Sequence, residues 1–392
     1  MNKQVALVLA GGGSLGAYQV GALKALKELG YHFDIVTGTS IGALNGSFVH
    51  LGCEDHLEEL WNNITPEKVM KNGTNVSKNY IFTNKTTVLG EYAKWLKIYL
   101  SGGKMGSDIS PFKEYVRNAV DFSLRKTATG KFSVMCSYFP SLKRATIDMT
   151  KVSDEHFLGY LHASSACFPI FPVETVDGKK YVDGFYNDNL PIKLAFDLGA
   201  TDVIAIDMRL FALEPVGKFY VGLPNVEYIA PFKPLGSMVD FGHEIIAKNM
   251  ELGYWDTLKH FGKMGGFAST IEGEIPEVSV ISFIVSHDSQ TSRKAITYLQ
   301  KGIDRPLTEK EFFIRILEIL AEKMKIPMTY QKYTFDQFFN LVREEALKRS
   351  DLLSKSRFAG LLSLVKATQP LDDFLIDFVQ TFFVKGEPYL KK

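Results

Sequence analysis

The sequence predicts an α/β fold with a mainly parallel sheet over its first half, followed by a mainly helical C-terminal region. Three observations predict it. Short apolar runs alternate with helix-spaced apolar patterns from Val5 to about Asp207. Glycine-rich turns join the first strands to the helices after them, as in parallel βα units. From residue 291 onward the apolar spacing is helical almost throughout.

Val5 to Ala10 is a continuous apolar run, as expected of a central parallel strand, and Gly11, Gly12 and Gly13 end it. Val20, Leu23, Leu26 and Leu29 then recur at helical spacing, and Gly30 stands where that helix would stop. Ile35 and Val36 begin a second strand reaching Gly38, with a second helix starting near Ile41. The stretch 71–109 is rich in Asn, Lys, Thr, Gly and Ser, with scattered aromatics (Tyr80, Phe82, Tyr92, Trp95, Tyr99), and reads as an insertion over the open end of the sheet. Ser110-Pro111 reads as an N-cap followed by proline at the first helical position. Strands are expected at 132–138, 143–147, near Val182 and at 203–207, with helices at 154–162 and 192–198. Prolines and glycines from about 210 to 276 point to loops. Further on, Thr308-x-x-Glu311 and Thr334-x-x-Gln337 have the spacing of capping boxes. Phe374, Phe378 and Phe382 form one i, i+4, i+8 stripe, read as the buried face of a packed helical cap in preference to a subunit interface or a membrane-facing patch. The expected regions are 1–210 and 211–392.

At 392 residues the chain has room for two or three domains of roughly 150 residues each. With 46% hydrophobic and 23% charged residues it is ordinary globular material, which excludes a disordered or collagen-like chain. Forty-five Lys and Arg against 44 Asp and Glu leave a net charge of +1, which argues against nucleic acid as a partner. Cys53, Cys136 and Cys167 are too few and too scattered for a disulfide framework or a four-ligand zinc site, and suit a reducing compartment. His50, Cys53 and His56 have no evident fourth ligand, so neither metal nor cofactor is expected. No apolar run reaches the roughly 18 residues of a membrane span, and the first residues read as a buried strand, not a secretory leader. A cytoplasmic protein is expected, with transient contact at a membrane surface left open.

Gly11-Gly12-Gly13-Ser14-Leu15-Gly16 matches G-x-G-x-x-G between a strand and a helix. A dinucleotide site would also need an acidic residue ending the second strand. Here Asp34 begins that strand, and Gly38-Thr39-Ser40 ends it. Without a nucleotide, the loop offers unobstructed backbone N–H groups at the positive end of a helix, a nest for a transient oxyanion. Gly38-Thr39-Ser40-Ile41-Gly42 is G-x-S-x-G in the same strand-to-helix setting. Such a turn is tight and strained, needs small neighbours, and presents its hydroxyl at the carboxyl edge of the sheet. That hydroxyl requires a general base. None of the eight histidines lies in an informative motif, although His162 precedes the Ser164-Ser165 loop. Asp183-Gly184 places a carboxylate after a short strand; on spacing alone it reads as a turn.

The three motifs, in this order, resemble the patatin-like phospholipases, which carry a G-G-G-x-x-G loop, G-x-S-x-G and Asp-Gly-Gly or Asp-Gly-Ala. The likeness runs from about Val5 to Asp207 and includes Ala163-Ser164-Ser165-Ala166, Phe171-Pro172 and Asp188-Asn189-Leu190-Pro191. The resemblance implies a three-layer α/β/α fold and hydrolysis of lipid carboxylic esters by a Ser-Asp dyad without a catalytic histidine. It implies Ser40 as nucleophile, Asp183 as general base and the Gly12 and Gly13 amides as oxyanion hole, framed by Gly11, Gly16, Gly38, Gly42 and Gly184. Two positions depart from the family pattern. Leu15 stands where many members carry Arg or Lys, and Phe185 replaces a small residue after Asp183-Gly184. An acyltransferase using the same serine ester, a Ser-His-Asp hydrolase and an idle lipid-binding protein are the alternatives. An acyl chain would need an apolar cleft, for which Tyr92, Trp95, Tyr99, Phe168, Ile170 and Phe171 are candidates.

Overall fold

The structure is a computed structural model that describes residues 3–71, 85–102, 106–210, 217–303, 305–350 and 369–385. The chain divides into two units, Met1–Thr257 and Leu258–Lys392. The first contains, in order, β1 (Val5–Leu9), α1 (Gly16–Glu28), β2 (Ile35–Thr39), α2 (Ile41–His50), α3 (His56–Asn62), α4 (Pro66–Val69), α5 (Lys85–Leu100) and α6 (Ser110–Ala119). It continues with β3 (Lys131–Tyr138), β4 (Arg144–Asp148), α7 (Asp154–Ser164), β5 (Glu174–Val176), β6 (Lys179–Asp183), α8 (Ile192–Asp197), β7 (Asp202–Ile206), β8 (Val226–Ile229) and all but the last three residues of α9 (His243–His260).

One sheet runs β5-β6-β3-β2-β1-β7-β8, with β4 also paired to β3. The neighbours β3, β2, β1, β7 and β8 are parallel, while β4 and β6 run antiparallel to β3. The apolar run of β1 is explained by its central place: Ala6 to Leu9 are fully buried. Successive residues of β2 show the layers. Val36 lies against Gly46 of α2, and Thr37 donates to the Pro191 carbonyl at the start of α8. Adjacent strand residues face opposite sides, so α2 and α8 cover opposite faces of the sheet.

Two expectations change. The stretch from 210 to 276 is not all loop: the sheet gains β8, and α9 runs for 18 residues. Gly253, one of the glycines that read as breaks, lies at a crossing with α1. A Cβ on Gly253 would come within 1.9 Å of the Tyr18 carbonyl oxygen, and one on Gly21 within 1.7 Å of that of Met250. Backbone meets backbone there, which leaves no room for a side chain. At α6, Ser110 is the first helical residue and does not cap; its N–H donates to Asp108 Oδ1 at 3.0 Å. The short β5 had no signal of its own. Within the expected insertion, Tyr80 and Phe82 and the side chain of Trp95 lie outside the described residues. Tyr92 and Tyr99 of α5 pack with Phe139, Phe168, Val182 and Tyr186 at the carboxyl end of β3.

The second unit contains β9 (Thr270–Glu272), α10 (Ile281–Val285), α11 (Ser289–Leu299), α12 (Glu309–Met324), β10 (Lys332–Thr334), α13 (Phe335–Ser350) and α14 (Gln369–Phe378). Both capping boxes form: Thr308 and Glu311 exchange bonds of 2.8 and 3.3 Å, Thr334 and Gln337 bonds of 2.9 and 3.2 Å. Phe374, Phe378 and Phe382 are buried, and Phe313 lies 5.7 Å from Phe378. The phenylalanine stripe is thus core of its own unit. Buried Glu318 gathers the N–H groups of Phe267 and Ser269, the Ser269 hydroxyl and the Arg315 guanidinium. No described helix is long and apolar enough to cross a membrane.

Candidate active site

Ser40 joins β2 to α2 in a single residue, with φ 56° and ψ −125°. Side chains rarely adopt this backbone conformation, and the surrounding structure must impose it. The two flanking glycines of G-x-S-x-G show how tight the turn is. A Cβ on Gly38 would lie 2.5 Å from the Gly42 carbonyl oxygen, and one on Gly42 would lie 2.4 Å from that of Leu9. The small neighbours expected from the motif are therefore a steric requirement.

The register of β3 brings Asp183 to this turn. β4 occupies one edge of β3 throughout residues 133–137. β2 takes the other edge up to the pair Thr39↔Met135, and β6 takes over that edge at Cys136↔Asp183. One strand leaves and another arrives head-on at the next position. Ser40 follows Thr39 and Asp183 ends β6, so the two expected dyad residues meet there. Gly184 must be small for the same reason: its Cβ would be 2.3 Å from the Met135 carbonyl oxygen.

Asp183 is 2% exposed. Burial, which penalises the charged form, pushes its carboxyl up from 3.8 to about 7. The Phe185 N–H, 2.8 Å from Oδ1, and the Ser40 side chain favour the carboxylate and act against that rise. A group that ionises near neutrality beside a serine hydroxyl is matched to proton transfer at physiological pH. Histidine does not compete for this place. His162 is buried, packs edge-to-face on Phe112, and is pushed down to about 4 by burial, with Lys113 and Arg117 adding to the effect. Among the described residues, no histidine hydrogen-bonds Ser40 or Asp183.

The glycine loop borders the serine: a Cβ on Gly11 would stand 2.9 Å from Ser40 Cβ. Asn189 pins it, since the Gly11 N–H donates to Asn189 Oδ1 at 3.2 Å and Asn189 Nδ2 donates to the Gly11 carbonyl at 3.1 Å. The Ser14 N–H is taken by the Met238 carbonyl. Among the described residues, no protein acceptor takes the N–H of Gly12 or Gly13, the expected oxyanion donors. Gly16 opens α1 and packs against Ile41 of α2, so both helices start at this corner.

The two departures have structural counterparts. Leu15 is 2% exposed and belongs to the core. Phe185 packs against the aromatic cluster of Tyr92, Phe139, Phe168, Val182 and Tyr186. Sequence reasoning assigned no role to Ser164, which accepts the Ser40 N–H at 2.9 Å, or to Asn189. Their only signal was membership of Ala163-Ser164-Ser165-Ala166 and Asp188-Asn189-Leu190-Pro191. Asp188 is likewise buried there, paired with Arg144 at 2.9 Å.

Comparison with known proteins agrees with the motifs. The patatin-like phospholipase family model matches residues 7–196. The chain is 31% identical over 209 residues to a mouse protein called patatin-like phospholipase domain-containing protein 7, covering 52% of this chain and 13% of that one. It is 28% identical over 218 residues to an Aspergillus terreus lysophospholipase, covering 53% of this chain and 12% of that one. The chain therefore spans about an eighth of the length of these curated relatives. Among solved structures, VipD from Legionella pneumophila aligns over 97% of this chain and 92% of its own, with a TM-score of 0.39 and 14% identity. Over residues 7–196, just under half of the chain, the three motifs stand in family order and the sequence matches the patatin-like phospholipase family.

Proposed function

We propose that the chain hydrolyses carboxylic esters of lipids through Ser40 and Asp183. The observation that carries this reading is the meeting of a strained serine with a buried carboxyl lifted to about 7. In the first step Asp183 takes the Ser40 proton as Oγ attacks the ester carbonyl. The Gly12 and Gly13 N–H groups hold the tetrahedral oxyanion, where one donor is worth about 3 kcal/mol. Collapse expels the alcohol, which receives the proton from Asp183, and leaves an acyl-Ser40. Water, deprotonated by Asp183, then attacks that ester, and Ser40 recovers its proton as the acid departs. The names of the relatives, phospholipase and lysophospholipase, point to phospholipid or lysophospholipid esters as substrates. The aromatic cluster beside Phe185 offers apolar surface for the acyl chain.

The test is labelling of the wild-type protein and Ser40→Ala with a fluorophosphonate, together with hydrolysis of p-nitrophenyl esters, lysophospholipids and diacyl phospholipids. Wild type should be labelled at Ser40 and turn over at least one class. Ser40→Ala should do neither. Equal turnover by the two proteins refutes the assignment.

A further inference from the structure

We propose that Ser164 is the positioning residue of this site, its hydroxyl holding the serine elbow to the strand that receives Asp183. This rests on the Ser40–Asp183 reading above. Ser164 is fully buried at the end of α7. Its Oγ accepts the Ser40 N–H at 2.9 Å and donates to the Met135 carbonyl at 2.7 Å. The hydroxyl's single proton is committed to Met135, so its lone pairs are turned to Ser40.

The register explains why such a relay is needed. The β2–β3 pairing stops at Thr39↔Met135, because the next position on that edge belongs to Asp183 of β6. The buried Ser40 N–H thus loses the partner that a continuing strand would supply, and an unpaired buried N–H is costly. Ser164 fills the gap from outside the sheet. It also ties Ser40 to the same Met135 carbonyl against which the Gly184 backbone packs. One hydroxyl therefore links the elbow to the segment carrying the carboxylate. Attack on an ester depends on the placement of Oγ to a fraction of an ångström, whereas binding of the acyl chain does not. Loss of the relay should appear in turnover and not in binding.

The neighbouring Ser165 supplies the control. It is also buried, but its hydroxyl donates back to the Leu161 carbonyl within the helix. Full-length wild type, Ser164→Ala, Ser164→Cys, Ser165→Ala and Ser40→Ala are compared for kcat and KM on a soluble p-nitrophenyl ester and for the rate of fluorophosphonate labelling. Ser164→Ala should lower kcat and the labelling rate by about 10- to 100-fold with KM nearly unchanged. Ser164→Cys, a weaker donor and acceptor of similar size, should fall between it and wild type. Ser165→Ala should keep wild-type kcat. The proposal is overturned if Ser164→Ala stays within about twofold of wild-type kcat, or if Ser165→Ala loses as much. Should Ser164→Ala show no cooperative melting, Ser164→Cys decides the matter, and wild-type kcat in that variant overturns it. Absence of Ser40-dependent turnover in the wild type instead overturns the underlying reading, and this inference with it.

Discussion

Replacing Asp183 with Asn interrogates the site through stability as well as turnover. Burial lifts the Asp183 carboxyl from 3.8 to about 7. A carboxyl whose folded value exceeds its unfolded value holds its proton more tightly in the native state. The stabilisation it brings is fully present below its unfolded pKa, declines as pH rises, and is gone above its folded pKa of about 7. The gap between the two values corresponds to roughly 4 kcal/mol. Asparagine has no such titration and keeps an oxygen for the Phe185 N–H that Asp183 Oδ1 accepts at 2.8 Å. The variant and the wild type should therefore be similarly stable near pH 4 and diverge above it. At about pH 8.5 the variant should be the more stable by up to about 4 kcal/mol, while hydrolysis is lost. Denaturant unfolding of both proteins across this pH range measures the difference. A gap that does not widen with pH, or a variant less stable than wild type at the alkaline end, refutes the claim that burial of the carboxylate outweighs its hydrogen bonds at this position. On the mechanism proposed above, the same titration sets turnover in the wild type, whose kcat/KM should climb with pH through about 7 as Asp183 ionises.

Two further predictions concern the elbow. Ser40→Gly and Ser40→Ala both remove the hydroxyl, but only glycine relieves the backbone conformation at φ 56° and ψ −125°. Ser40→Gly should therefore be the more stable of the two by about 1 kcal/mol, after the greater unfolded-state freedom of glycine is taken off, and thermal melting of the pair checks this. Gly42→Ala would force a Cβ against the Leu9 and Ala10 carbonyl oxygens, at 2.4 and 2.5 Å. It should destabilise the protein by at least about 2 kcal/mol and abolish fluorophosphonate labelling; a wild-type melting temperature would show that the turn is looser than its geometry.

Much of the fold and the candidate chemistry was legible in order along the chain, because the signals are local. The apolar run of β1, the glycine loop, the G-x-S-x-G turn and the two capping boxes each depend on residues within a few positions of one another, and spacing records that directly. Helix α9 escaped because Gly253 looks like a break until α1 is laid across it. The phenylalanines of α14 had a readable stripe, yet only the packed helices show that it faces Phe313. Asp183-Gly184 alone is indistinguishable from an ordinary turn. Its meeting with Ser40 is decided by strand pairing: β6 enters the edge of β3 where β2 departs, between segments far apart in the chain. Its raised pKa follows from the burial that this pairing creates, and the Ser164 relay from the N–H it strands. The sequence by itself determined which groups could react. Tertiary structure alone decided that they touch, because strand register and burial are properties of the whole sheet and leave no trace in local spacing.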